Sequence, residues 1–277
     1  MPRRRTLLAA LAGAVLSGLG GVGVLAPGPA LANDAGSVTH SSGQVSATLQ
    51  WDRSDDDGIA DARLFVVRAG VRYDLTIADI CLAGCIVVPD ADIRDGSASA
   101  VKVADLDGDG EPEVLVDVFS GGAHCCLTTR LLTFNGTGYT PTDLDWRDLG
   151  YQLEDADGDG RPELVGNDPS FSEAFTAFAA SAFPPLIFRL ENGKLVDVTR
   201  AFPKLVRADA ATQLKLLRKL KRGDDVRGVL AAYVADEYLL GKSSAGLREL
   251  DRQRARGAIT KAFRPYLLKK LRAWGYR

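Results

Sequence analysis

A nine-residue acidic pattern occurs twice in this 277-residue chain, fifty residues apart. The first copy is Asp105-Leu106-Asp107-Gly108-Asp109-Gly110-Glu111-Pro112-Glu113, and the second is Asp155-Ala156-Asp157-Gly158-Asp159-Gly160-Arg161-Pro162-Glu163. Carboxylates at positions one, three, five and nine would repel one another unless a cation sits among them. Oxygen ligands at alternate residues, followed by a glycine that allows a sharp turn, are the chemistry of a hard cation, and calcium suits them best. Position seven, Glu111 or Arg161, offers its backbone carbonyl. A motif recurring at such a period predicts a repeat architecture. A degenerate third copy lies upstream at Asp55-Asp56-Asp57-Gly58-Ile59-Ala60-Asp61. Its glycine is 52 residues before Gly110, but Arg53 stands at the first ligand position, leaving Asp55, Asp57 and Asp61 as its acidic groups.

The flanks of the loops decide what kind of repeat this is. Val101 to Ala104 enters the first loop and Val114 to Phe119 leaves it, both reading as strands. Val45 to Trp51 alternates in polarity, and Ala62 to Val67 follows the upstream copy. Leu164-Val165 leaves the second loop, and Pro184 to Leu190 runs into a turn at Glu191-Asn192-Gly193-Lys194. An EF-hand is excluded: its bidentate Glu at position twelve is replaced by Val116 and Gly166, and helices should flank it. From about Val38 to Val198 the chain reads as short strands and turns.

The last third changes in period and in charge. Leu214, Leu217 and Leu220 mark one helix, and Val226, Val229, Leu230, Tyr233 and Val234 a second. Leu247 and Leu250 mark a third, and Ile259, Phe263, Leu267 and Leu271 a fourth, kinked or restarted at Pro265. Residues 193–277 hold 21 Lys and Arg against 8 Asp and Glu, a net of +13, whereas residues 33–192 hold 10 against 28, a net of −18. This split predicts an acidic β-repeat domain over 33–198 and a basic helical module over 199–277. The basic charge reads first as the solvated face of amphipathic helices, and second as a contact for an anionic envelope polymer or surface protein. No base-stacking pattern points to nucleic acid.

Residues 1–32 have the layout of a secretory signal peptide: Arg3-Arg4-Arg5, an apolar run from Thr6 to about Leu25, and Ala30-Leu31-Ala32. Arg4-Arg5 also fits the twin-arginine route, so either export path is open. No later stretch reaches the ~18 apolar residues of a spanning helix, and no stable membrane insertion is expected after cleavage. An exported chain makes disulfides the default for Cys81, Cys85, Cys125 and Cys126, whose pairing within or between the two clusters stays open. Zinc at His124-Cys125-Cys126 is disfavoured, because adjacent strand residues point to opposite faces.

The pattern Asp-x-Asp-x-Asp-Gly-x-Pro-Glu, followed by Val114-Leu115-Val116 or Leu164-Val165, resembles the FG-GAP/VCBS repeats of integrin-like β-propellers and their secreted bacterial relatives. The resemblance implies calcium in an interstrand loop, held by Asp105, Asp107, Asp109 and Glu113 and by Asp155, Asp157, Asp159 and Glu163. A closed propeller needs about 4–8 blades. Two intact repeats and a damaged one therefore imply a small or incomplete propeller-like β assembly with a C-terminal α-helical module. The expected role is a secreted calcium-binding protein that binds or scaffolds, with calcium structural. A calcium-dependent cell-surface adhesion module is the alternative. A hydrolase using His124 is the weaker one, since no nucleophile elbow is present and the neighbouring cysteines favour oxidation.

Overall fold

The computed structural model describes residues 36–52, 62–80, 100–119 and 127–277. The signal segment, the third loop with Asp55, Asp57 and Asp61, and Cys81, Cys85, His124, Cys125 and Cys126 lie outside the described residues. Twelve strands among the described residues form three four-stranded antiparallel sheets. The first contains β1 (Gly36–Ser42), β2 (Val45–Trp51), β3 (Arg63–Arg68) and β4 (Val71–Leu75). The second contains β5 (Val101–Ala104), β6 (Glu113–Phe119), β7 (Leu127–Phe134) and β8 (Tyr139–Arg147). The third contains β9 (Tyr151–Glu154), β10 (Glu163–Asn167), β11 (Pro185–Glu191) and β12 (Lys194–Asp197). In each sheet, strands adjacent in sequence pair in space, and among the described residues none of the sheets closes on itself.

The sheets lie face to face, and the apolar run of β6 explains why. Side chains alternate across a strand, so a run that is apolar at successive positions buries both faces. Val114, Val116 and Val118 join Val45, Leu49 and Val66 of the first sheet in one core. Leu115 and Leu131 join Leu164, Leu190 and Trp146 in a second core, shared with the third sheet. The middle sheet is thus the filling between its neighbours. The one charged position in this run, Asp117, is held by an ion pair with Lys102 and by the Thr129 hydroxyl at 2.6 Å. Thr129 Oγ1 in turn accepts the Trp146 indole N–H at 3.1 Å, so the buried polar chain is satisfied. Hairpin β11–β12 turns at Asn192 and Gly193, with φ of 51° and 71°, the two positive values of a type I′ turn.

Four helices follow: α1 (Pro203–Lys219), α2 (Arg227–Leu239), α3 (Ser243–Ala255) and α4 (Phe263–Ala273). Pro265 is the third residue of α4, inside the first turn, where its missing N–H and fixed φ do no harm, so the helix starts here and is not kinked. The segment between β10 and β11 departs from the expected strands and turns. It forms short 3-10 turns at Pro169–Phe171 and Phe178–Ala180. Its apolar residues belong to the helical core, where Phe171 and Phe175 pack with Leu230, Val234, Phe263 and Leu267. Ring contacts follow, with Phe171 5.0 Å from Trp274 and Phe175 6.0 Å from Phe263 between centroids. The helical core therefore reaches back across residue 198, and residues 33–277 form one compact unit. Arg200 fastens the module's ends: its guanidinium donates to the carbonyls of Tyr238 and Leu239 and to those of Gly275 and Tyr276. These carbonyls lie at or just past the ends of α2 and α4, where intrahelical donors run out. Among the described residues no helix is long and apolar enough to cross a membrane.

Candidate metal loops

Each acidic loop joins the first and second strands of its sheet, β5 to β6 and β9 to β10. The short entry strands hold the loop ends at fixed spacing, and two glycines let the chain curl between them. Gly108 and Gly110 have φ of 77° and 86°, and Gly158 and Gly160 have 81° and 89°. Any other residue would be strained in this left-handed region. The first aspartate organises the curl. Asp105 Oδ1 accepts the Gly108 N–H at 2.8 Å, and its Oδ2 accepts that of Gly110 at 3.0 Å. Asp155 does the same with Gly158 at 2.8 Å and Gly160 at 2.9 Å. The last glutamate closes it: Glu113 Oε2 accepts the Leu106 N–H at 3.0 Å and Glu163 Oε2 that of Ala156 at 3.0 Å.

This curl brings the predicted ligands together. Carboxylate oxygens of Asp105, Asp107 and Glu113 lie within 4.8 Å of one another, and so do those of Asp155, Asp157 and Glu163. Asp109 and Asp159 stand beside these triads, their Oδ1 atoms accepting the N–H of Glu111 at 2.7 Å and of Arg161 at 2.9 Å. The position-seven side chains face elsewhere. Glu111 pairs with Arg68 and accepts from Gln44 Nε2 at 2.9 Å, tying the first loop to the first sheet. Arg161 pairs with Asp159 at 2.6 Å, and its Cγ and Cδ lie so close to Gly108 that a Cβ there would meet them at 3.3 and 3.1 Å. The two loops are therefore neighbours. What each position-seven residue can offer a cation is its backbone carbonyl. An all-oxygen donor set of this kind fits a hard divalent cation and suits a soft one poorly.

The loops differ in their countercharge. Glu113 is 2% exposed, and among the described residues the Leu106 N–H is the sole hydrogen-bond donor to its carboxylate. Burial, reinforced by Asp107, Asp109 and Asp105, pushes its carboxyl up to about 8. Glu163 is fully buried, but Arg189 on β11 reaches it at 2.5 Å and reaches Asp157 at 2.6 Å. Burial opposes charge on this guanidinium, and the bonds to Glu163 and then Asp157 outweigh that, holding it above its ordinary range. Every loop carboxylate stands out in the sequence, whereas Arg189, Arg68 and Gln44 do not. The visible sign of Arg189 was a charged residue inside the apolar run Leu186-Ile187-Phe188-Arg189-Leu190.

A second set of close carboxylates lies between α1 and α2. Asp236 is fully buried, and neither of its oxygens has a hydrogen-bond partner in good geometry. Burial, then the neighbouring Asp209, pushes its carboxyl up to about 10. Burial also raises Asp209, against the amide of Gln213, which donates to Asp209 Oδ2 at 3.1 Å. The two carboxyls are adjacent and no cationic side chain pairs with either among the described residues, so a proton keeps the pair stable.

Comparison with known proteins touches both halves. Residues 206–263, from α1 to the start of α4, match the family described as the sll0997 C-terminal domain. The chain is 35% identical over 156 residues to the probable thylakoid lumen protein sll0997 of Synechocystis, a match covering 53% of this chain and 45% of that protein. It is 33% identical over 139 residues to the uncharacterized protein y4bJ of Sinorhizobium fredii, covering 48% of this chain and 22% of that one. No solved structure matches. The chain thus spans less than half the length of either relative, and the matched family accounts for the helical module alone.

Proposed function

We propose that this is an exported calcium-binding protein whose loops pin a propeller-like stack of β-repeats, and that it serves as a binding or scaffold protein. The observation that carries this reading is the first loop: three carboxylates within 4.8 Å, one of them a buried glutamate that pairs with no Lys or Arg among the described residues. An ionised Glu113 in that setting needs a positive partner. Three consecutive four-stranded antiparallel sheets, each packed on the next, support the propeller-like reading, since successive blades stack in this way. Asp105, Asp107, Asp109 and Glu113, with the Glu111 carbonyl, would hold the ion, and it would supply charge that fixes the interstrand loop. The arginine-led apolar N-terminus and a relative named as a thylakoid lumen protein support an exported location.

The test is a melting curve in chelator and in millimolar calcium. Extracellular calcium modules bind at about 10⁻⁴–10⁻³ M. At ten times the dissociation constant, one ion stabilises by about 1.4 kcal/mol. Identical curves in calcium and chelator would end this reading.

A further inference from the structure

The two loops share their backbone course and their triad, yet one position across the sheet separates them. β10 pairs with β11 at Leu164↔Phe188, so one step further along Glu163 stands opposite Arg189. β6 pairs with β7 at Val114↔Leu132, and the same step sets Glu113 opposite Thr133. Directly opposed residues put their side chains on the same face of a sheet. Arg189 and Thr133 therefore occupy equivalent places beneath equivalent triads. The arginine delivers a guanidinium to Glu163 and Asp157, and the threonine delivers no charge.

We propose that Arg189 is the resident cation of the second loop, and that the first loop alone is the exchangeable calcium site. This rests on the calcium reading above. The oxygens that Arg189 binds, Glu163 Oε1 and Asp157 Oδ2, belong to the two residues that would have to turn to an ion in that loop. Carboxylate oxygens engaged by a guanidinium fork are not free for a metal, and a dication brought to the same place would meet a fixed positive charge. Displacement would also have to pull Arg189 away from Phe202, whose ring centroid lies 5.7 Å from the guanidinium carbon. Position seven deepens the difference: Arg161 adds a second positive charge to the second loop, paired with Asp159, where the first loop carries Glu111. In the first loop Arg68 and Gln44 are spent on Glu111, outside the triad, and the second oxygen of the buried Glu113 receives no donor among the described residues.

Calorimetric titration of the purified protein with calcium chloride tests this by counting ions. The wild type should bind one, lost in Asp105→Asn and kept in Asp155→Asn. Arg189→Thr, which copies the first loop, should bind two, and Thr133→Arg, which copies the second, should bind none. The counts in the wild type and the two aspartate variants decide the matter even if a position-189 or position-133 variant fails to fold. Two ions in the wild type, or one ion lost with Asp155→Asn, overturns the inference and leaves the calcium reading standing. No ion in the wild type, with no shift in melting temperature, removes the calcium reading and this inference with it.

Discussion

Beside the loop between β9 and β10, a buried glutamate faces an arginine; between α1 and α2, a buried aspartate faces a second carboxyl. The second loop holds Glu163 and Asp157 against Arg189, and its first aspartate collects backbone N–H groups. Arg189 supplies the positive charge that completes the site. Among the described residues no donor reaches either oxygen of Asp236 in good geometry, and Asp209 is adjacent. There the cheaper solution is a proton. The same residue type serves as a charged ligand in one half and as a neutral buried group in the other, and the supply of hydrogen-bond donors decides which.

The strongest way to break this contrast is to remove Glu163. Glu163→Ala takes the closest partner from the half-buried Arg189 and leaves it the exposed Asp157, and should cost about 1.5–3 kcal/mol in denaturant unfolding, the scale of a hydrogen bond to a charged group. Glu113→Ala, measured in chelator, should cost distinctly less, because no cation is stranded. Equal losses would mean that the two loops are balanced alike. The next effect is a pH slope. Asp236 titrates near 4 when unfolded and near 10 when folded, so the folded form holds its proton while the unfolded form has lost it. The contribution of Asp236 to stability is then full below about pH 4 and is lost as pH rises towards 10, by at most about 1.4 kcal/mol per pH unit. Asp236→Asn should flatten this part of the profile and raise the melting temperature at pH 8. A profile unchanged by the substitution would show that the pair is not held by a proton. The smallest effect is calcium itself, about 1.4 kcal/mol at ten times the dissociation constant. It should be the same in wild type and Asp236→Asn, since distant sites act independently. A calcium response altered by that substitution would couple the two regions.

The loops were legible because their ligand spacing and glycines are local in sequence, and the curl they predict is the curl observed. Strand β6 was legible from its unbroken apolar run, and α2 from its helical period. Arg189 was not, because it meets Glu163 through pairing of β10 with β11, across 26 residues of chain. The aromatic segment around Phe171 and Phe175 escaped for a related reason: it follows a strand and carries no helical period of its own, and its partners Phe263 and Trp274 lie far along the chain. Asp236 sat in a well-read helix, but its depth depends on how α1 and α2 cross. Local chemistry wrote the ligands, and long-range pairing assigned their partners.

Arg200 stands at the start of the helical module and binds carbonyls of Gly275 and Tyr276 at its finish. Entry and exit of that module are therefore side by side. A cassette whose ends meet can be appended to a host chain, or spliced into a surface loop, without stretching either partner. The four helices would have to take the Phe171–Phe175 segment with them, and an affinity tag fused after Arg277 would emerge beside this latch.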